Sequence, residues 1–131
     1  MHYDSDDDRM ATAEHLARHD PGGAADAFRS IACDGGVGDE VRLSAAEQLA
    51  ALGSADAAQA CIAIACDNGV GDEVRLSAAE LLPEVDPRAA AQACLAIARD
   101  DGVGDEVRLS AAELLATLDP ARAGHAHRMR C

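Results

Sequence analysis

The chain has 131 residues, with 24 acids against 11 bases and a formal net charge of −13, and every base is an arginine. That balance argues against a grip on nucleic acid, which needs clustered positive charge; one tyrosine, one phenylalanine and no tryptophan leave no stacking platform for single strands. No apolar run of about 18 residues occurs, so no membrane-spanning helix is expected, and the start Met1-His2-Tyr3-Asp4 lacks the apolar stretch of a secretion signal.

Hydrophobic residues make up 49% of the chain, enough to build a core. That core has to come from Ala, Leu, Val and Ile. Alanine, with 31 copies, is the best helix former and lets helices approach closely. No alternating apolar pattern suggests strands. In chain order, residues 1–7 are expected to be a disordered acidic start, and 8–131 a single domain. A first helix is expected over about 8–18.

From there the sequence repeats. The string Gly-Val-Gly-Asp-Glu-Val-Arg-Leu-Ser-Ala-Ala-Glu occurs at 36–47, 69–80 and 102–113, each offset by 33. Asp34, Asp67 and Asp100 share that register, and Arg9, Glu14 and Leu16 fall on Arg42, Glu47 and Leu49. Near the other end Asp119-Pro120 falls on Asp86-Pro87. Each unit reads as two helices. The first, A, covers about 55–66 and 88–99, with Pro87 suited to a first turn. It is expected to stop at the glycine loops around Gly36, Gly69 and Gly102, with glycine in the left-handed conformation. The second, B, begins at Asp39, Asp72 or Asp105, read as N-caps followed by an acid. Its apolar stripe is Val41, Ala45, Leu49 and Leu52. Pro83 is expected to kink or end the second B helix. A last A-type helix is expected over about 121–129, giving about eight helices with half-units at both ends.

A single hairpin of this kind cannot bury its own stripe, whereas stacked hairpins form a continuous core. The segment Asp-Glu-Val-Arg-Leu-Ser-Ala-Ala-Glu-Leu-Leu resembles the second helix of HEAT-like repeats, with an acidic start, Val-Arg and Ala-Ala-x-x-Leu. The resemblance implies an all-α, right-handed α-solenoid of 33-residue helical hairpins. It also implies that Arg42, Arg75 and Arg108 form an inter-repeat ladder with Asp34, Asp67 and Asp100. The loop between A and B is somewhat longer than the family's, so Asp39, Asp72 and Asp105 remain local competitors for the arginines. Ankyrin and tetratricopeptide signatures are absent.

The acidic glycine loops suggest calcium, but counting twelve positions from Asp67 reaches Ala78 and not the required glutamate, so a helix stop is the better reading. Cys33, Cys61, Cys66 and Cys94 recur in A-helix positions, as small buried apolar residues would. No C-x-x-C pair, catalytic triad or phosphate loop is present, so no metal, cofactor or catalytic residue is expected. His125 and His127 read as part of a polar cap.

Glu14, Glu47, Glu80 and Glu113 occupy one equivalent place in every B helix. In the family the B helices line the concave face, which implies a binding row of these glutamates with Ser44, Ser77 and Ser110 and with Leu43, Leu76 and Leu109. Such a row attracts cations. The expected function is a non-enzymatic, cytoplasmic interaction scaffold whose acidic B face binds a basic or arginine-containing protein segment. The alternatives are an accessory or lyase-type subunit of an enzyme system, and a head-to-tail self-assembling protein. The last follows from charge: residues 1–8 carry four acids and no base, and 121–131 carry Arg122, Arg128 and Arg130 and no acid.

Overall fold

A computed structural model describes residues 6–118, which form seven α-helices and no strand. They are α1 (Asp6–Ala17), α2 (Pro21–Ala32), α3 (Asp39–Ala51), α4 (Asp56–Ala65), α5 (Asp72–Val85), α6 (Pro87–Ala98) and α7 (Asp105–Leu118). The expected eighth helix, about 121–129, lies outside the described residues. Each helix packs on the next and also on the next but one, and none of the seven reaches further. The odd-numbered helices therefore form one row and the even-numbered helices another.

The sequence sets the helix ends by several devices. Asp20 and Asp86 cap α2 and α6, their carboxylates accepting hydrogen bonds from first-turn N–H groups, with Pro21 and Pro87 as the first helical residues. The expected aspartate caps of α3 and α5 are not found. Gly38 and Gly71 stand at the N-cap, and Asp39 and Asp72 are already inside the helix. Helix α1 begins at Asp6, two residues inside the stretch expected to be disordered, because the Asp6 carboxylate accepts a hydrogen bond from Gly38 N–H at 2.9 Å. Pro83 does not end α5, which continues to Val85. It sits in the last turn, where its missing N–H costs the one bond to the Ala79 carbonyl.

The loop glycines also differ from expectation. The left-handed glycine among the described residues is Gly53, at φ 69° after α3. There Gly53 N–H bonds Ala50 C=O and Ser54 N–H bonds Leu49 C=O, the paired pattern that closes a helix end. At 34–38 the chain turns by a side chain instead: the Asp34 carboxylate accepts from Gly36 N–H at 2.8 Å, and Val37 N–H bonds Asp34 C=O. A Cβ at residue 36 would come within 3.3 Å of that carboxylate oxygen, so glycine permits the close approach.

The core lies between the two rows. Its largest fully buried side chains include Phe28, Ile31, Leu49, Ile64, Leu82, Ile97 and Leu115. Alanines fill the rest, Ala45, Ala46, Ala78 and Ala79 among them. The buried stripe of α3 is Arg42, Ala45, Ala46 and Leu49, whereas Val41 is only half-buried and Leu52, beyond the helix end, is exposed. Each fully buried Leu or Ile contributes about 1.5–3 kcal/mol relative to exposure.

Arg42 and Arg75 are each 3% exposed, the two charged residues among the buried set. Arg42 Nε donates to Ala32 C=O at the end of α2 (2.8 Å), and its Nη1 donates to Asp67 in the following loop (2.9 Å). Arg75 repeats both bonds with Ala65 C=O and Asp100 at the same distances. Arg9 begins the series with Asp34 at 2.9 Å. The ladder therefore joins each arginine to the aspartate of the following unit, not of its own. Asp39 and Asp72 are not arginine partners. They accept from Gly71 N–H (2.9 Å) and Gly104 N–H (2.8 Å), so each B helix begins under a carboxylate from the helix one unit earlier. Arg108 differs from the others: its Nε bond to Ala98 C=O lengthens to 3.2 Å, and its charge meets Asp101 at 3.5 Å and Asp105 at 3.8 Å.

Replacing Arg42 with Met keeps the volume but leaves the Ala32 carbonyl and Asp67 without their donor. We expect a loss of about 1–3 kcal/mol in urea unfolding, and a smaller loss for Arg9→Met, since Arg9 is partly exposed. The arginine and a loop N–H hold Asp34, Asp67 and Asp100 below the ordinary carboxylate value of 3.8, the arginine bond being the larger cause. Their contribution is complete above the unfolded-state value and is lost as pH falls below it through the folded value. The urea midpoint should thus hold from neutral pH down to about pH 5 and then drop. Asp67→Asn with Asp100→Asn should flatten that drop.

Candidate interaction face

The B-helix sequence recurs every 33 residues, so a surface position on one helix has a counterpart on the next. Glu14, Glu47, Glu80 and Glu113 are all exposed. Between α1 and α3 this row borders an open groove of about 470 Å³, lined by Asp7, Met10, Glu14, Glu40, Val41, Ser44, Glu47 and Gln48. The groove brings Glu14, Glu47 and Ser44 together, as one face of the B helices. Ser77 and Ser110 are half-buried at the matching places on α5 and α7. Leu43 and Leu76 are half-buried against the core and Leu43 does not line the groove; Leu109 is 48% exposed.

Asp7 and Glu40 were not singled out from sequence, although the signal is present. They sit seven residues before Glu14 and Glu47, two helical turns back on the same face. Glu73 and Glu106 continue that position on α5 and α7 and are likewise exposed. The face thus carries two acids per B helix. The arginines of α1 and α3 do not offset them, because Arg9 and Arg42 turn into the ladder and do not line the groove. Charge of one sign along a water-filled cleft raises the local concentration of cations, and salt screens it over about 8–10 Å.

The loop carboxylates and the buried cysteines have other roles. The loop carboxylates Asp34, Asp67 and Asp100 each spend one oxygen on a glycine N–H and the other on an arginine, which makes them turn-forming and ladder groups. Cys61 and Cys94 are buried, and burial with a contribution from Glu47 or Glu80 pushes their thiols up to about 11. They are protonated at neutral pH and serve as small core residues. Cys33 and Cys66 depart from that expectation: they stand at the ends of α2 and α4, past the last buried turn, and are exposed. Among the described residues, no group of three or more His, Cys, Asp or Glu side chains is arranged to hold a metal ion. No helix among them is long and apolar enough to cross a membrane. No family model matches the chain, and no curated protein or solved structure matches it.

Proposed function

We propose that this chain is a HEAT-like, right-handed α-solenoid that acts as a non-enzymatic interaction scaffold in the cytoplasm. The acidic face of its B helices takes a basic, arginine-containing segment of a protein partner. The observation that carries this reading is the groove between α1 and α3. Asp7, Glu14, Glu40 and Glu47 line it, no base does, and Met10 and Val41 give it an apolar floor. A guanidinium can meet a carboxylate in a two-pronged hydrogen bond while its alkyl stem lies along apolar surface. Glu73, Glu80, Glu106 and Glu113 repeat the acid pair on α5 and α7, so a partner with spaced arginines would meet the same environment at each step.

The near-identity of the three strings favours a repetitive partner over an asymmetric one. Specific recognition of a single irregular surface would call for different contacts at each unit, and the positions at 40–48 differ little from those at 73–81 and 106–114.

The test is binding of an arginine-rich peptide to the full chain, followed by fluorescence anisotropy at several salt concentrations. We expect affinity to fall steadily as salt rises. Glu47→Gln, Glu80→Gln and Glu113→Gln combined should weaken binding by about tenfold or more with helical content unchanged. Equal binding by this variant would remove the glutamate row from the account.

A further inference from the structure

The two outermost described helices are not equivalent in how they meet solvent. On α1, the places that α3 and α5 fill with Val41, Ala45, Val74 and Ala78 carry Asp8 and Thr12. Both of these α1 residues are exposed, whereas Ala45 and Ala78 are buried. The side of α1 that would face an earlier helix is therefore polar. The side that faces α2 and α3 keeps the internal pattern of Asp6, Arg9, Met10 and Ala13.

Helix α7 shows the reverse. Its forward side repeats that internal pattern as Asp105, Arg108, Leu109 and Ala112, without a polar replacement. Asp105, Leu109 and Ala112 are less covered than their counterparts. Asp105 has a side chain 93% exposed, and Leu109 is exposed where Met10, Leu43 and Leu76 are half-buried. Asp6, Asp39 and Asp72 each receive a glycine N–H from the next unit; among the described residues Asp105 receives none, and Arg108 reaches no aspartate closer than 3.5 Å. Among the described residues, the forward side of α7 is an unfilled copy of an interface that the chain builds three times within itself.

We infer that the forward side of α7 docks on the α2–α3 face of a second copy of this chain, in the place that α1 occupies there. Arg108 then takes Asp34, and Asp105 takes Gly38 N–H, as Arg9 and Asp6 do within one chain. The fit rests on continuity with an interface already present. The acceptor loop 34–38 has the same internal hydrogen bonds as 67–71 and 100–104, and α7 offers it the same residues at the same spacing as α1. The two-row packing continues across the junction, with an odd-numbered helix followed by an even-numbered one. Such a contact joins different surfaces of two identical chains and can propagate. α1 is its intramolecular competitor, present at an effective concentration of about millimolar through its short link to α2.

The chain's own residues 119–131 are a poorer occupant. In the 33-residue register they put Arg122, His127 and Arg130 at the positions where α6 buries Ala89, Cys94 and Ile97. This inference does not depend on the acidic groove, and its variants leave the groove residues unchanged.

The test is sedimentation velocity of the full chain over a concentration series. Arg9→Ala removes α1's clamp on Asp34 and should bring association to about tenfold lower concentration than in the parent chain. Asp6→Ala, which removes only the Gly38 contact, should shift it in the same direction and serves where Arg9→Ala loses helicity. Adding Arg108→Ala to either variant should abolish the association. A mixture of Arg9→Ala/Arg108→Ala with Arg9→Ala/Asp34→Asn pairs a live acceptor with a live donor, and should give a complex of two chains and nothing larger. Monomeric Arg9→Ala and Asp6→Ala chains of native helicity would overturn the inference, because α7 is then closed by residues 119–131 or has no affinity for the vacated face. Association that survives Arg108→Ala would overturn it too.

Discussion

A guanidinium removed from water must be given hydrogen-bond acceptors in fixed directions, and most of this molecule's order follows from how it supplies them to Arg42 and Arg75. One acceptor is the last carbonyl of the preceding helix, a group that helix geometry leaves unpaired. The other is an aspartate in the following loop, whose second oxygen already holds that loop's own turn together. A single side chain thus closes one helix, anchors a second and fixes the turn that leads to a third. A buried ion pair adds little net stability over apolar packing, but its geometry is exacting. That suits a core built largely of alanine, whose small, similar surfaces would tolerate sliding between helices.

The second link has the opposite sign of charge and the same direction. Asp6, Asp39 and Asp72 each reach forward to the N–H of the glycine that starts the next B helix. A carboxylate at a helix start is favourable because the first amides are unpaired and the local dipole is positive. Glycine at that position supplies the cap geometry while the oxygen comes from the neighbouring unit. Both links run from one unit to the next, so every interior unit is held on two sides. Helix α1 is held on its forward side, and among the described residues α7 has a forward side with neither link made. The difference between the ends of the described stack follows from this direction, and so does the freedom of the acids on the outer face. Arg9, Arg42 and Arg75 are committed to the ladder, which leaves the groove beside Glu14 and Glu47 without a base in its lining.

Much of this was legible in the residues. The 33-residue offset located the first residue of α3, α5 and α7, and the shortage of β-branched alternation excluded strands. The misses share a cause: a repeat shows which residues are equivalent, but not which unit each one touches. Asp39 looked like a cap for its own helix because local contacts are the only ones a linear pattern can show; the structure gives its oxygen to Gly71. Asp34 is in the same unit as Arg42, yet its partner is Arg9, 25 residues earlier. Loop glycines at 36, 69 and 102 suggested left-handed stops, while the real one, Gly53, has no glycine counterpart at residue 86 and so stood outside the pattern. The acids at Asp7 and Glu40 were hidden for a different reason. They belong to helix starts, where acids are common, and only the folded face shows that they flank the same groove as Glu14 and Glu47.

The central claim is that the buried arginine couples one unit to the next. A double-mutant cycle between Arg42 and Asp67, read by urea unfolding and set beside the same cycle between Arg42 and Asp34, tests it most directly. The account predicts a coupling energy of about 1 kcal/mol or more for Arg42 with Asp67 and a near-additive result for Arg42 with Asp34. Additivity in the first pair, or a larger coupling in the second, would contradict it.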